Sequence, residues 1–578
     1  MRVVVGIVLN NIAVLAAASH GHGKYHACFD GFKCARLIAP LDYKNDSDLR
    51  TVAIAMIKLP AVVSNDDPAF AGSVFTNPGG PGGAGVGFIL RAGKGLRDVL
   101  DKPGLRHYEI VSFDPRGIGN SWPRANCFVH DTLRRDAIFL ELRGRGSLDG
   151  YGGTNDVEAN GINGGQIMAY MGTPNVARDM VHMVDKIAEL RARDAIYRKS
   201  GGDNGEDHVE LKREMNKEDD DIPRLQYIGY SYGTVLGIYF ASLFPGRVGR
   251  IALDGLVDVN DYSSGPGWMT NLVDTDKIAD RFFSGCHEVG HKICALSSNG
   301  DNRFYSWLSK LDEEPISTIG PSGEIIIIKS QDIREMLGAA LYRPRSSFIN
   351  LAAALDGAMS GDTAAIVKIL FQRHIPHLDD DCAIDNIDSE AYLQEGTASV
   401  LCADGDNVSD YDIAWWKQYI NDQINTSSIF GAYWSNIRMA YNSWNFRPNW
   451  IFKGPFTTPP VVHSASGNPV SGHPAAPILF ISNRHDPVTP LSAARAMAVQ
   501  HPGASLIITE GLGHGTMGTS DSTCLHNYVA DYFDIGVVPA GEVTCIPDCG
   551  PWDIDCDTFG VEFMPDNNHG YGRGPLAF

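Results

Sequence analysis

One serine lies between two tyrosines and two glycines in the stretch GYSYG, residues 229–233. An apolar run, 225–229, precedes it and a helical pattern begins near Tyr232, the setting in which Gly-x-Ser-x-Gly presents a reactive hydroxyl above a sheet. The turn is tight, so we expect the two glycines to avoid clashes with neighbouring elements. The pattern predicts that Ser231 is a nucleophile, and an ordinary turn is the alternative.

A nucleophilic serine needs a base, and the base needs an acid that orients it, because the hydroxyl alone is too weak an acid. In sites of this type the partners follow in the order serine, acid, histidine. Asp486 comes directly after one predicted strand, and His514 comes after the next. Glycines at 513 and 515 would let the histidine loop reach over the serine. We therefore predict Asp486 as the orienting acid and His514 as the base.

Other acids and histidines lie in the same parts of the chain. Asp254 and Asp258 follow the strand after the serine turn. His485 and His526 lie close in sequence to the predicted acid and base. None of these four has both the expected order and the expected loop position. For the predicted pair itself, the alternatives are a charge at a helix N-terminus and an ordinary loop histidine.

A glycine-rich segment, SVFTNPGGPGGAGVGF at residues 73–88, includes another predicted strand. Glycines expose backbone N–H groups, and each donor directed at a tetrahedral oxyanion contributes about 3–4 kcal/mol. We predict one donor at the N–H of Gly80 and the other at the N–H of Tyr232. A nucleotide-binding loop is the alternative, since such loops also cradle phosphate on glycines, but no Gly-Lys-Ser/Thr follows.

A second motif suggests a different chemistry. Residues 287–291 read HEVGH, the pattern in which two histidines one helical turn apart bind zinc beside a glutamate base. The longer pattern with a glycine and a third histidine is missing. Cys286 and Cys294 bracket the motif, and a disulfide between them would suit a loop of a helical lid. A zinc metallopeptidase is therefore kept as an alternative, with the metal-free serine chemistry preferred.

Composition narrows the classes of partner. The chain has 578 residues, of which 44% are hydrophobic, enough for a large buried core. It has 48 basic and 69 acidic residues, a formal net charge of −21. Such a surface repels phosphate backbones and anionic lipid, so neither nucleic acid nor a membrane is an expected partner. Serine chemistry requires no metal or organic cofactor, and none is predicted.

The N-terminus and the cysteines point to export. Residues 1–19 have a basic start, a short apolar stretch and a small-residue end, as in a secretory signal peptide. Eleven cysteines would form mostly disulfides in an oxidising compartment, but sequence alone leaves their connectivity open. Asn45, Asn407 and Asn425 begin glycan acceptor triplets. We predict a secreted, disulfide-bonded glycoprotein.

Predicted strands alternate with predicted helices along the chain. Thr173-Pro174 and Thr489-Pro490 have the form of helix starts. This alternation favours an α/β fold with a mostly parallel sheet and helices on both faces. The predicted strands cover residues 52–57, 73–76, 108–113, 225–229, 250–253, 478–482 and 505–509.

A long insertion interrupts the predicted sheet domain. Residues 262–472, termed the lid insertion below, carry helical patterns and few strand signals. Residues 20–261 and 473–578 would form the two parts of the core domain. Two polar stretches, 131–170 and 201–221, are predicted to be solvated surface insertions.

Several motifs together resemble one enzyme family. The segments CFDGFKCARLIAPLDY, NPGGPGGAG, DPRGIGNS, GYSYGT, DPVTP and GHGT are similar to landmarks of the secreted tripeptidyl aminopeptidase and proline iminopeptidase families of α/β-hydrolases. The similarity extends from Cys28 to LHNYVADYFDIGVVPAGEVTC near the C-terminus. It implies a triad of Ser231, Asp486 and His514, a helical lid, and cleavage near a free peptide N-terminus. Related sequences also include esterases.

The sequence departs from that family at several points. The two polar stretches are unusual for it, and Ser443 precedes Trp444 where a cysteine is expected, which leaves Cys402 without a familiar partner. An aminopeptidase should also present a lid carboxylate to the substrate ammonium group. Asp404 and Glu288 are candidates for it, and solvated surface acids are the alternative. A secreted carboxylesterase with the same triad is the second prediction, and a non-enzymatic binding protein the third.

Overall fold

The computed structural model describes residues 25–126, 166–199, 222–320, 323, 325–374, 393–439, 442, 444, 446–554 and 556. The predicted signal segment, the polar stretch 201–221, Cys127, Cys382 and Ser443 lie outside these residues, as does most of 131–170. The strands are β1 (His26–Ala27), β2 (Lys33–Pro40), β3 (Thr51–Leu59), β4 (Phe70–Asn77), β5 (His107–Phe113), β6 (Leu225–Tyr230), β7 (Val248–Asp254), β8 (Ile316–Ile319), β9 (Ile325–Ile328), β10 (Leu479–His485), β11 (Ser505–Leu512) and β12 (Glu542–Cys545).

One large sheet organises the chain. Its ten strands lie in the order β1-β2-β3-β5-β4-β6-β7-β10-β11-β12. The first pairs, from β1 to β5, are antiparallel, and every pair from β5 to β12 is parallel. This arrangement confirms the predicted mostly parallel sheet. The seven strands predicted from the sequence are β3, β4, β5, β6, β7, β10 and β11.

Helices cover both faces of this sheet because each turns an apolar stripe toward it. On one face α1 and α14 share an apolar core with the strands, and on the other face α2, α3 and α13 do so. The helices are α1 (Gly85–Leu100), α2 (Thr173–Lys199), α3 (Tyr232–Leu243), α4 (Val259–Ser263), α5 (Thr275–Val289), α6 (Gly300–Glu313), α7 (Ser330–Ala340), α8 (Pro344–Met359), α9 (Ala364–His374), α10 (Leu393–Asp404), α11 (Ile413–Thr426), α12 (Gly431–Met439), α13 (Leu491–Gln500) and α14 (Thr523–Ile535).

The carboxyl ends of four parallel strands meet at one edge of the sheet. Asn77 at the end of β4 pairs in register with Gly229 of β6. Tyr230, the last residue of β6, pairs with Asp254, the last residue of β7. Asp254 in turn pairs with Ile481 of β10. Loops that follow these strands are therefore brought together, as is usual for binding sites of open α/β sheets.

The lid insertion is mainly helical, with α5 to α12 and the antiparallel hairpin β8–β9. Helices α5 to α9 have an apolar core of their own, in which Phe282 and Phe348 are fully buried. Helices α10 to α12 instead share the apolar core on one face of the sheet. Trp552, from the C-terminal tail, packs into the core of α5 to α9. Its ring centroid lies 5.7 Å from that of Phe282 and 5.5 Å from that of Phe348. The hairpin was not expected from the sequence.

Four disulfides join cysteines that are close in sequence. They are Cys28–Cys34, Cys286–Cys294, Cys524–Cys545 and Cys549–Cys556. The bridge across the HEVGH motif is the one that the sequence analysis considered for Cys286 and Cys294. Cys402 forms no disulfide with another cysteine in the described ranges. Among those same ranges, no helix has the length and apolarity to cross a bilayer.

Candidate active site

Ser231 occupies the sharp turn between β6 and α3. Its φ of 53° and ψ of −123° are rare for a residue with a side chain, and such conformations persist only where the surroundings impose them. The backbone supplies that constraint, since its N–H donates to the carbonyl of Asp254 at 3.1 Å and its carbonyl accepts from the N–H of Thr234 at 2.8 Å. The turn therefore holds Ser231 at the carboxyl edge of the sheet.

The two glycines of GYSYG are required by space. A Cβ at Gly229 would lie 2.5 Å from the carbonyl oxygen of Gly233, and a Cβ at Gly233 would lie 2.6 Å from the carbonyl oxygen of Asn77. Both distances are shorter than any ordinary carbon–oxygen contact. The clashes expected from the sequence are thus confirmed, and the second glycine also lets β4 approach the turn.

Asp486 and His514 are brought together from the loops after β10 and β11. The Nδ1 atom of His514 lies 3.0 Å from Oδ1 and 3.1 Å from Oδ2 of Asp486. The carboxylate is fully buried and accepts backbone N–H groups from Val488 at 3.0 Å, Thr489 at 2.8 Å and Gly515 at 2.8 Å. These donors fix the carboxylate, and the carboxylate in turn fixes the imidazole.

The second ring nitrogen of His514 is free for other chemistry. Its Nε2 atom is buried and hydrogen-bonds to no group in the described part of the chain, including the hydroxyl of Ser231. The backbone segments that carry the two side chains are nevertheless linked through one residue. Asp254 accepts the N–H of Ser231 on its carbonyl, and its side chain accepts the N–H groups of Thr516 and Met517, just after the histidine.

The glycine-rich loop after β4 lies against the serine turn. A Cβ at Gly79 would lie 2.8 Å from the Cβ of Ser231 and 3.1 Å from the backbone nitrogen of Tyr232. The N–H of Gly79 already donates to the side chain of Asn77 at 2.9 Å. Gly80 follows with φ 112°, and Tyr232 is the first residue of α3. The two backbone groups predicted as donors therefore lie on neighbouring segments, beside Ser231.

Asp404 belongs to a buried network and is not a solvated surface acid. Its carboxylate accepts the N–H of Thr173 at 2.9 Å, the hydroxyl of Thr173, and the hydroxyl of Tyr262 at 2.8 Å. The same threonine hydroxyl lies 2.6 Å from the hydroxyl of Tyr232. Burial raises the pKa of Asp404 to about 6. The network connects α10 of the lid insertion to the residue that follows Ser231.

Glu288 lies away from this network. It is exposed on α5, the helix whose first residue, Thr275, donates its hydroxyl to the carbonyl of Pro487 at 2.6 Å. A helix rises 1.5 Å per residue, so Glu288 lies about 20 Å along the axis from that contact. The structure does not bring it to Ser231.

The HEVGH motif does not form the helical arrangement that zinc proteases use. Helix α5 ends at Val289, and Gly290 turns the chain with φ 73°, so His291 lies beyond the helix. The Nδ1 atom of His287 lies 2.9 Å from the carbonyl oxygen of Ser297. Within the described ranges no group of three histidine, cysteine, aspartate or glutamate side chains could hold a metal ion. The second histidine is thus not one turn along the same helix face.

The rival residues occupy other positions. Asp258 caps α4 by accepting the N–H groups of Asn260 and Asp261. His526 lies 2.8 Å from Asp521, and His485 ends β10. The carboxylate of Asp254 contacts backbone N–H groups, whereas that of Asp486 contacts the imidazole. Chain order and loop position in the sequence thus selected Asp486, the acid that contacts His514, over the other candidate acids.

Two neighbours of the site were not predicted. The side chain of Asn77 accepts the N–H of Gly79. In the sequence, only the position of Asn77 directly before Pro78, at the end of a predicted strand, could have indicated this contact. Tyr342 lies two residues after the end of α7 in the lid insertion, and its carbonyl accepts the N–H of His514 at 3.0 Å. Its ring packs edge-to-face on the imidazole, with centroids 5.1 Å apart. Nothing in the sequence pattern pointed to Tyr342, because it comes from a distant segment.

Similarity to known proteins covers most of the chain. Residues 427–545 match the family model described as TAP-like protein. Serine protease Hip1 of Mycobacterium tuberculosis (strain ATCC 25618 / H37Rv) is 25% identical over 541 residues, which cover 89% of this chain and 87% of that protein. Tripeptidyl aminopeptidase of Streptomyces lividans is 23% identical over 536 residues, which cover 90% of this chain and 84% of that protein.

A third relative carries a different name. Carboxylesterase B of Mycobacterium tuberculosis (strain CDC 1551 / Oshkosh) is 25% identical over 535 residues, which cover 89% of this chain and 86% of that protein. The predicted resemblance to the tripeptidyl aminopeptidase family is confirmed by these similarities. The relatives include both a peptidase and an esterase by name.

Proposed function

We propose that this chain, a serine hydrolase of the α/β-hydrolase type, is an aminopeptidase that cleaves peptides near a free N-terminus. Ser231, His514 and Asp486 are the proposed nucleophile, base and orienting acid. The observation that carries the proposal is the contact of Asp486 with Nδ1 of His514, at 3.0 Å, on the sheet edge where the strained Ser231 turn lies. Two relatives, named serine protease Hip1 and tripeptidyl aminopeptidase, support peptide as the substrate class.

The chemistry is acyl transfer in two stages. Nε2 of His514 takes the hydroxyl proton as Oγ of Ser231 bonds to the substrate carbonyl carbon. The tetrahedral intermediate then expels the amine, which receives that proton from His514, and an acyl-enzyme remains. Water attacks the ester in the second stage, with the same histidine accepting and returning a proton. Asp486 holds the imidazole with Nε2 directed away from the carboxylate.

The proposed first step requires a hydrogen bond that this structure does not contain. Catalytic hydrogen bonds in free enzymes are often long and tighten only when substrate is bound. A rotation of the Ser231 side chain about its Cα–Cβ bond moves the hydroxyl without disturbing the turn. The common anchor at Asp254 keeps the backbone of the serine turn close to the histidine loop.

Stabilisation of the oxyanion is assigned to the N–H groups of Gly80 and Tyr232. The N–H of Tyr232 is at the N-terminus of α3, where the helix dipole adds to its effect on a developing negative charge. The close approach of Gly79 to the serine turn, 2.8 Å from a Cβ at Gly79 to the Cβ of Ser231, supports this assignment. Each donor is expected to contribute about 3–4 kcal/mol to the transition state.

Selectivity for a free N-terminus is assigned to the lid insertion as a whole. A lid carboxylate would bind the ammonium group and reject blocked peptides. Of the two predicted candidates, Glu288 lies far along α5 and Asp404 already accepts three hydrogen bonds from protein donors. We therefore do not assign the ammonium site to either residue.

A secreted carboxylesterase that uses the same triad is the second candidate, favoured by the relative that carries that name. Export is part of both proposals. It is supported by the four disulfides, which form readily in oxidising compartments, and by the signal-like N-terminus. Glycosylation at Asn45, Asn407 and Asn425 rests on the acceptor triplets alone.

A substrate panel tests the proposal. Unblocked tripeptide 4-nitroanilides, their N-acetylated forms and 4-nitrophenyl esters are given to the wild-type protein and to Ser231→Ala. We expect turnover of unblocked peptides, rejection of acetylated ones, and no turnover by the alanine variant. Preference for short acyl esters regardless of a free amine would favour the esterase. Full activity of Ser231→Ala on any substrate would refute the serine mechanism.

A further inference from the structure

Asp254 is the last residue of β7, and its side chain is fully buried. The carboxylate accepts the N–H of Thr516 at 2.8 and 2.9 Å, one distance to each oxygen, and the N–H of Met517 at 2.8 Å. Its backbone carbonyl accepts the N–H of Ser231 at 3.1 Å. One residue thus hydrogen-bonds both the serine turn and the loop that carries His514.

We propose that Asp254 is a positioning residue that fixes the histidine loop relative to the serine turn. This inference rests on the proposed function, since it assigns Ser231 and His514 as the reacting pair. Asp254 touches neither the reacting atoms nor the imidazole through its carboxylate. Its effect on catalysis passes through the backbone of the loop.

The other contacts of the histidine loop do not replace this one. The N–H of His514 donates to the carbonyl of Tyr342 in the lid insertion, and the N–H of Gly515 donates to Asp486. Both of those acceptors lie on segments outside β6 and β7. Only the contact with Asp254, among the described hydrogen bonds of residues 513–517, leads directly to the backbone of Ser231.

The chemistry of the side chain suits this task. Two backbone donors converge on the carboxylate, and a charged acceptor makes stronger hydrogen bonds to N–H groups than a neutral one. An asparagine would turn an amide NH₂ group toward at least one of these donors. Because Thr516 donates to both oxygens, the NH₂ group would face the N–H of Thr516 in either orientation of the amide, and the loop is expected to shift to relieve this donor–donor contact.

The test uses an unblocked tripeptide 4-nitroanilide, expected of the aminopeptidase, and 4-nitrophenyl acetate, expected of the esterase, and follows whichever one the wild-type protein turns over. Asp254→Asn and Asp254→Glu are compared with Asp258→Asn, a matched control four residues along the chain. Asp258 caps α4, and asparagine is an equally good cap. A fluorophosphonate probe that labels Ser231 counts the competent sites in each preparation. Far-ultraviolet circular dichroism checks that each variant is folded.

We expect both Asp254 variants to lose 10- to 100-fold in kcat per labelled site, because misplacement of a catalytic group by about 1 Å costs this much. Their KM is expected to stay within twofold of wild type, and Asp258→Asn should match wild type in both constants. Wild-type kcat in either folded Asp254 variant would overturn the inference. So would failure of both variants to fold, because Asp254 would then serve the fold alone.

A double-mutant cycle separates positioning from a general loss of structure. In the background of His514→Ala the loop no longer carries a base, so Asp254→Asn should change the residual rate less than twofold. A further tenfold loss in that background would refute action through His514. Ser231→Ala is assayed in parallel. If it retains full turnover the proposed function falls, whereas an inactive Ser231→Ala beside a fully active Asp254→Asn removes only the positioning role.

Discussion

The buried carboxyl group of Asp404 should make stability depend on pH in an unusual direction. Its side chain is held by Thr173 and Tyr262, and burial raises its pKa from 3.8 to about 6. The folded protein therefore keeps a proton on Asp404 between about pH 4 and 6 that the unfolded chain has released. Asp404→Asn has a similar shape, cannot ionise, and so removes this proton linkage.

The sign and size follow from the raised pKa. The stability contributed by this group is fully present below the unfolded pKa and is lost as the pH rises through the folded pKa. The two pKa values differ by about two units, which corresponds to a free energy on the order of 3 kcal/mol. From pH 4 to pH 7, wild type should thus lose about that much stability relative to Asp404→Asn.

Urea unfolding at pH 4, 5, 6 and 7, followed by tryptophan fluorescence, measures this difference. Asp406→Asn is the matched control, because Asp406 is partly exposed and lies 3.0 Å from the Lys453 ammonium. Partial burial acts to raise the pKa of Asp406, but the Gly265 N–H and Lys453 lower it below its ordinary value. Its linkage therefore lies below pH 4. A difference between wild type and Asp404→Asn that is flat over this range would refute the reasoning.

Three further predictions concern the site. Gly233→Ala should abolish labelling of Ser231 by a fluorophosphonate, because its Cβ would lie 2.6 Å from the carbonyl oxygen of Asn77. Gly87→Ala is the control and should label normally, because the nearest atom is 3.5 Å away. Normal labelling of both variants would contradict the requirement for glycine at position 233. Tyr342→Ala should lower kcat roughly tenfold, because the His514 imidazole loses the ring that packs against it. Tyr342→Phe retains the ring contact and should keep near-normal turnover. Equal kcat in the two variants would refute a role of this ring in positioning His514. Dialysis against a strong chelator should leave turnover unchanged, because α5 ends before His291; a loss that zinc restores would support the metallopeptidase alternative.

Much of the sheet could be predicted because its central strands are nearly all apolar. The runs in β3 to β7, β10 and β11 are buried on both faces, so they stand out from the surrounding helices. The short strands β1, β8, β9 and β12 have two to four residues and carry little pattern. Strand β2 alternates exposed and buried residues along KCARLIAP, the period-two pattern of a half-buried strand.

The candidate site was predictable where a motif fixes local geometry. Ser231 and its glycines are such a motif, and chain order then selected Asp486 and His514. Contacts between distant segments had no such signal. Asp404 is 231 residues from Thr173 and 142 from Tyr262, so its burial could not be read from an acidic stretch that looked solvated. The same holds for Tyr342, whose contact with His514 depends on how the lid insertion folds.

The C-terminal tail constrains how substrate can enter. Trp552 packs against both Phe282 and Phe348 inside the lid insertion, while Cys524–Cys545 ties the start of α14 to β12 of the sheet. The tail is thus anchored at two points, to the sheet through Cys545 and to the lid insertion through the indole of Trp552. Swinging the whole insertion outward would pull that indole into water, at a cost comparable to deleting a buried tryptophan, about 3–5 kcal/mol. Substrate entry is therefore expected to displace short segments of the insertion while Trp552 stays in place.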